Sequence, residues 1–269
     1  MSFSIAGKTA IVTGAANGIG LAIGRQFAEK GANVMFADMD EARLIDELGE
    51  RAEDSNVRYF AGDLRERLTI TNLISATLDA FDQIDILVNG ARQMIPSDPL
   101  DPDDDSVNVL LSQNLMPALR LSQMVAKRMI KQASTREDDS GAGAGAIINL
   151  SSIAARRTHP DLLAYSVSSA ALDQMTRSLA VALAPHRIRV NAVAIGSVMS
   201  ASLKSTLKEN RGFRQDIEDH TPLARIASPS ELTDTVQFLA SEAAGFMTGQ
   251  ILTLDGGRTL LDPVAAPAH

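Results

Sequence analysis

Cysteine is absent from the 269 residues, which removes disulfides, thiolate nucleophiles and cysteine-ligated zinc from consideration. That absence fits a reducing compartment, so a cytoplasmic location is expected. Histidine is scarce: His159, His186, His220 and His269 are scattered, with no ligand pair at helical spacing. No protein-built transition-metal site is expected. No apolar run approaches the ~20 residues needed to span a bilayer. The opening stretch Met1-Ser2-Phe3-Ser4-Ile5-Ala6-Gly7-Lys8 is too short and polar to read as a signal peptide. Positive charge is also in deficit, 25 Lys and Arg against 33 Asp and Glu giving a formal net charge of −8. This balance disfavours a general nucleic-acid binder or a protein that docks on anionic membranes. What remains, 45% hydrophobic and 22% charged, is ordinary for a globular chain, and its length suits one large α/β domain.

Short apolar, β-favouring runs alternate with amphipathic helical stripes along the chain. Strands are expected at Thr9–Thr13, Asn33–Asp38, Val57–Ala61, Ile84–Asn89, Ala146–Leu150, Arg189–Ala194 and Gln250–Leu254. Between the first two, Ile19, Ile23 and Phe27 mark a helical face that Gly31 is placed to stop. Leu44, Ile45 and Leu48 mark a second helix, and Ile70, Leu73, Ile74, Thr77, Leu78 and Phe81 a third. A long helix is expected from Val107 to about Gln132, and another through Leu172, Met175, Leu179 and Leu183. Ser228-Pro229-Ser230-Glu231 has the form of a capping box with proline at the first helical position. Residues 134–145, rich in charge, Ser and Gly, read as a flexible surface insertion, and 262–269 as a loose tail. Alternating strands and helices imply a parallel sheet covered on both faces, a doubly wound α/β fold in a single domain.

The segment Thr13-Gly14-Ala15-Ala16-Asn17-Gly18-Ile19-Gly20 falls between the first strand and the first helix. Glycine takes positive φ and carries no Cβ, so the backbone turns sharply and can approach a diphosphate closely. The following helix presents free N–H groups and the positive end of its dipole to such an anion. Two readings stand, a dinucleotide-binding turn and a merely structural one; the position at the first strand–helix junction favours the former. Asp38 ends the second strand, about 20 residues on, where a carboxylate accepts bonds from both hydroxyls of an adenosine ribose. Its charge repels a 2′-phosphate, and no Arg or Lys stands in the glycine turn, so NAD is expected over NADP. The alternative for Asp38 is a helix N-cap.

These glycines, with Asp63-Leu64, Leu87-Val88-Asn89, Asn114, Ser151-Ser152, Tyr165 and Thr248-Gly249-Gln250, resemble the short-chain dehydrogenase/reductase family. The resemblance runs from Gly7-Lys8 to Asp255-Gly256-Gly257. It implies a single Rossmann domain with a seven-stranded parallel sheet, assembled as a homodimer or homotetramer and acting on a small carbonyl or alcohol. It places Gly14, Asn17, Gly18, Ile19 and Gly20 at the diphosphate, with Asp63 and Leu64 at the adenine ring. Asn89, Gly90 and Ala91 would form the floor of the cofactor cleft, and Ile195, Gly196 and Val198 would face the nicotinamide. Ser152 would hydrogen-bond the substrate oxygen and Tyr165 would exchange its proton. Asn114 would lie where a released backbone carbonyl holds a water, and Pro117, which has no N–H for the carbonyl of Gln113, supports a local irregularity there. Residues 197–220 would shape the substrate entrance.

The sequence departs from the family at three places. Ser169 stands one helical turn after Tyr165, where the family has a lysine that binds the nicotinamide ribose and lowers the tyrosine pKa. Serine can share a hydrogen bond with the ribose but supplies no charge. At tyrosine's reference pKa of about 10, a phenol is neutral at pH 7 and only roughly one in a thousand is ionised. Carbonyl reduction, which takes a proton from the phenol, is therefore less damaged than alcohol oxidation. Arg92 replaces a glycine and Ile195 a proline. Three readings of Arg92 stand: a solvated side chain, a substitute for the missing lysine's field, or a grip on an anionic substrate. The chain is thus either an NAD(H)-dependent oxidoreductase or an NAD-binding homo-oligomer that has lost the chemistry.

Overall fold

All five residues of strand β1, Thr9–Thr13, are buried, which requires cover on both faces of the sheet. Their side chains alternate accordingly. Ala10 and Val12 enter one core with Ile23, Phe27, Leu232, Val236 and Leu239, while Ile11 enters another with Ile70, Leu73, Leu121 and Val125. The computed structural model describes residues 2–49, 56–135, 143–262 and 264. The remaining strands are β2 (Asn33–Asp38), β3 (Val57–Ala61), β4 (Ile86–Asn89), β5 (Gly145–Ser152), β6 (Ile188–Ile195) and β7 (Ile251–Leu254). They form one seven-stranded sheet in the order β3-β2-β1-β4-β5-β6-β7, every pairing parallel. The helices are α1 (Gly18–Glu29), α2 (Glu41–Leu48), α3 (Arg67–Phe81), α4 (Ser106–Leu110), α5 (Met116–Ser134), α6 (Leu163–Leu183), α7 (Ala201–Glu209), α8 (Phe213–Asp219) and α9 (Pro229–Ala240). This is the expected single-domain, doubly wound Rossmann architecture.

Several boundaries move for identifiable reasons. The fourth strand begins at Ile86 because the amide and carbonyl of Ile84 are both bonded by the side chain of Gln132, at 3.0 and 2.9 Å. The fifth and sixth strands run longer than expected, in register from Gly145 with Ile188 to Ser152 with Ile195. Gly145 therefore belongs to the sheet and not to a loose insertion; a Cβ there would lie 2.4 Å from Met129 Sδ. Ser134 closes α5, and residues 136–142 of that expected insertion lie outside the described residues, as do 263 and 265–269 of the expected tail. The expected long helix is divided: a π-turn, Leu111–Leu115, separates α4 from α5, with the Met116 amide bonded to the Leu111 carbonyl. Pro117 follows at once, where its missing N–H would break a regular α-ladder. The segment after β6 forms two short helices, α7 and α8, and the capping box of α9 is complete.

Strand order reverses at β1, whose neighbours are β2 on one side and β4 on the other. The helix that follows β1 and the loop that follows β4 leave on opposite sides of this point, the place where open α/β sheets form a crevice.

Candidate active site

The turn after β1 opens into that crevice, and its three glycines differ. Gly14 has φ +67°, and a Cβ on it would meet the backbone of Ala91 at 2.7 Å. Gly20 lies so close beneath the turn that a Cβ would stand 2.1 Å from the Gly14 carbonyl oxygen, so its absence lets α1 pack against β1. Gly18 has φ +54°, and a Cβ on it would face open space, with no protein atom within 4 Å. Asn17 precedes α1 without capping it by its side chain, so the first-turn amides beside Ile19 are left to an outside acceptor.

Asp38 ends β2 directly behind this turn. Its carboxylate accepts the Ala16 amide at 3.0 Å and the Asp40 amide at 3.1 Å, one on each oxygen. The cap of α2 is Asp40, which accepts the Arg43 amide, so Asp38 is not the helix cap. Asp63 is held by Arg65, whose Nε lies 2.9 Å from both carboxylate oxygens. Those hydrogen bonds hold its pKa below the usual 3.8. Sequence reasoning missed Arg65, although a basic residue two places after an aspartate is a readable signal for such a pair. Leu64 is buried in the core beneath α3.

On the β4 side, Thr13 Oγ1 accepts the amides of Gly90 and Ala91 at 3.0 and 3.1 Å, tying the two strand ends together. Asn89 turns its amide group inward, donating to Ser122 Oγ at 3.0 Å and to Asn149 Oδ1 at 2.8 Å. It therefore braces β4 against β5 and α5 as well as walling the cleft. Asn114, carried by the π-turn, is buried and grips the backbone of Gln93 twice: its Oδ1 accepts the amide and its Nδ2 donates to the carbonyl, both at 2.8 Å. The side chain of Asn114 thus fixes the loop that bears Arg92.

Tyr165, on the first turn of α6, is 7% exposed and packs with Leu110, Ala154 and Ala164. Its phenol makes no hydrogen bond among the described residues. Ser152, at the end of β5, caps the 3₁₀ turn Ile153–Ala155, its Oγ accepting the Ala154 amide at 3.1 Å. With an acceptor site filled, the hydroxyl keeps its proton for an outside oxygen. Ser169 is buried beside Ser168, whose Oγ donates to the Tyr165 carbonyl at 3.1 Å. A cavity of about 10 Å³ lies among Asn89, Arg92, Asn114, Tyr165, Ser168 and Ser169. That is about the space of one water. The neighbouring Ser151 donates to Asp173 at 2.6 Å; burial raises the Asp173 pKa above its usual 3.8, the bond from Ser151 opposing it. Sequence reasoning did not single out Ser151 and Asp173 as a pair, although an aspartate between the apolar Leu172 and Met175 is a visible anomaly.

Across the sheet, Ile195 and Val198 are buried, and Val198 bridges to Ala227. Gly196 packs its backbone so closely on Asp255 that a Cβ would lie 2.8 Å from that side chain's own. The Thr248-Gly249-Gln250 segment sews β6 to β7, with the Val190 amide on Thr248 Oγ1 and the Gly249 amide, at φ +72°, on the Val190 carbonyl.

Asn89, Ala91, Asn114, Tyr165 and Ser169 thus line one cavity, and Gly14 packs against Ala91 at its side, whereas Asp63 pairs with Arg65 and Leu64 is buried in the core. A family described as Enoyl-(Acyl carrier protein) reductase matches residues 14–259. The cis-4-hydroxycyclohexanecarboxylate dehydrogenase of Sinomonas cyclohexanicum is 33% identical over 267 residues, covering 96% of this chain and 99% of the relative. A 7α-hydroxysteroid dehydrogenase complexed with NADH and 7-oxo glycochenodeoxycholic acid superposes with a TM-score of 0.83 at 30% identity, over 95% of this chain and 96% of its own. A short-chain type dehydrogenase/reductase from Mycobacterium marinum gives 0.84 at 28% identity, over 96% and 98%. The chain belongs to the short-chain dehydrogenase/reductase family, oxidoreductases of Rossmann fold that use NAD(H) or NADP(H).

Proposed function

We propose that the protein is an NAD(H)-dependent oxidoreductase that interconverts a carbonyl and a secondary alcohol. The observation that carries this reading is Tyr165, whose ring is packed with Ala154 of the 3₁₀ turn that Ser152 caps while its hydroxyl, without a hydrogen-bond partner among the described residues, stays open to an outside group. A dinucleotide fits the residues at the switch point: Gly18 leaves room where a Cβ would intrude, and α1 starts uncapped by a side chain. Gly14, Asn17, Gly18, Ile19 and Gly20 would hold the diphosphate, and Asp38 the adenosine ribose. The lone pairs of Asp38 left by the Ala16 and Asp40 amides suit two hydroxyls and oppose a 2′-phosphate, which supports NAD over NADP. When bound, the nicotinamide supplies or accepts the hydride.

The chain's own residues handle the oxygen and its proton. In reduction, Ser152 donates a hydrogen bond to the substrate oxygen, and Tyr165 gives up its O–H proton as the alcohol forms. The phenolate left behind is reprotonated from solvent. In oxidation, the same phenolate must be present beforehand to take the proton. Asn114 acts one step back, by holding the Gln93 backbone. Two of the relatives are named as dehydrogenases of ring alcohols, a hydroxysteroid and a hydroxycyclohexanecarboxylate. Cyclic ketones are therefore the first compounds to try, 4-oxocyclohexanecarboxylate among them. Homo-oligomeric assembly, usual in the family, is checked by light scattering on the purified protein.

A second reading, an NAD-binding homo-oligomer without turnover, is favoured by one observation: Ser169 puts a neutral side chain on the cavity next to Tyr165. Calorimetric titration with NADH, followed by its absorbance in the presence of cyclic ketones, separates the two. The enzyme reading expects binding and ketone-dependent NADH loss in the natural protein. Binding without turnover, with turnover appearing in Ser169→Lys, would establish the second. Absence of binding to either redox form would end both.

A further inference from the structure

We infer that Arg92 supplies the fixed positive charge against which Tyr165 exchanges its proton, an inference that rests on the reading of Tyr165 given above. The cavity shared by Tyr165 and Ser169 has one charged side chain in its wall, that of Arg92. A phenol that must cycle through its anion on a residue only 7% exposed gains from an opposite charge nearby, because partial burial penalises the phenolate. Ser169 cannot provide it.

The position of Arg92 is unusually well fixed for a loop residue. On its amino side, Thr13 Oγ1 accepts the amides of Gly90 and Ala91. On its carboxyl side, Asn114 holds both backbone polar groups of Gln93. The guanidinium itself donates from Nη1 to the Ser151 carbonyl at 3.1 Å. Ser151 is in turn anchored to buried Asp173 through its hydroxyl. A side chain that is exposed along much of its length is thus held at its head, beside the end of β5 where Ser152 sits.

The other charged groups near Tyr165 are placed to do less. From α4 and the loop before it come the apolar Leu110, which shares the Tyr165 cluster, and Val107 and Ile95, which pack against that cluster, and Asp105 ahead of α4 is exposed. From the 3₁₀ turn, Ala154 is apolar, and Arg156 beyond it reaches towards Thr253. Before α6, His159 and Asp161 are exposed and face each other at 3.8 Å. Within α6, Asp173 is engaged with Ser151. Among the described residues, this leaves Arg92 as the cation with access to the cavity.

The chain has two tyrosines and no tryptophan, so its phenols can be watched one at a time. In a Tyr59→Phe background, the tyrosinate absorbance that grows in alkali belongs to Tyr165 alone, with circular dichroism tracking the fold. Arg92→Gln should move that transition upward by about one pH unit, the low end for loss of a neighbouring opposite charge because the arginine is partly screened by water. Arg92→Lys should return most of the shift. In the same variants, the acid limb of the alcohol-oxidation rate should move in parallel, while NADH affinity by calorimetry changes less than about threefold. An unmoved transition in Arg92→Gln overturns the inference. If the transition stays still while KM rises for carboxylate-bearing ketones, Arg92 binds substrate and the inference is again overturned. A natural protein that binds NADH but turns nothing over defeats the enzyme reading instead, and the phenol titration reports on Arg92 independently of it.

Discussion

Gly14, Gly18 and Gly20 look interchangeable in the sequence, yet a Cβ would meet different obstacles at each. At Gly20 it would collide with the Gly14 carbonyl 2.1 Å away, an overlap between two backbone segments that no rotamer change relieves. Gly20→Ala should therefore destabilise the fold by about 3 kcal/mol or more. At Gly18 the protein offers no obstacle, so Gly18→Ala should cost only the left-handed backbone of about 1–2 kcal/mol. The methyl would then occupy the space read as the diphosphate site, and NADH affinity should fall by about tenfold or more. Thermal melting and calorimetry on the two variants check the contrast; a Gly18→Ala protein that binds NADH normally would remove the diphosphate from this turn. The glycines and Asp38 were legible because backbone turns and close approaches demand particular residue types. The bond from Ser151 to Asp173 was not, because it depends on which of many side chains packing brings within reach.

The elements show the same division between what periodicity reveals and what packing decides. Strand and helix order could be read from alternating patterns, and Pro117 announced the interruption that appears as the π-turn bearing Asn114. That Asn114 grips Gln93 was not readable, since the two come together only when the π-turn packs beside the loop that follows β4. The cap of α9 was fully visible, as Ser228-Pro229-Ser230-Glu231 makes both bonds of its box. The side-chain bonds from Arg225, helped by the Ser228 amide, hold the Glu231 pKa at about 2, well below its usual 4.5. A carboxylate with a depressed folded value stabilises the fold above its unfolded value and loses that contribution as pH falls. Glu231→Gln should therefore melt below the natural protein at pH 6, with the gap closing from about pH 4.5 down to about pH 2. A gap that is independent of pH would mean that packing, and not charge, is what the variant removes.

Over the whole molecule, reversal of strand order at β1 brings together residues as distant in sequence as Gly14 and Ala91, and Asn89 and Tyr165 share one cavity wall. One burial nearby carries a cost. Asp173 lies between α6 and β5, 4% exposed, and loss of hydration is the main reason its pKa is raised. The bond from Ser151 and the charges of Arg156 and Arg177 offset that only in part. The sign is opposite to that of Glu231. The folded state holds the Asp173 proton more tightly than the unfolded chain does, so the stabilising contribution is complete below about pH 3.8 and disappears as pH rises through the folded value. At neutral pH the buried charge is a net burden, retained where it anchors Ser151 beside Ser152. Asp173→Asn keeps an acceptor for the Ser151 hydroxyl and removes the charge. Its melting temperature relative to the natural protein should therefore be higher at pH 7 than at pH 4. Turnover should suffer if the charge, by fixing Ser151, also fixes the carbonyl that holds Arg92. Melting curves at the two pH values decide the first point: a variant that loses ground on going from pH 4 to pH 7 would show that Arg156 and Arg177 outweigh desolvation at Asp173.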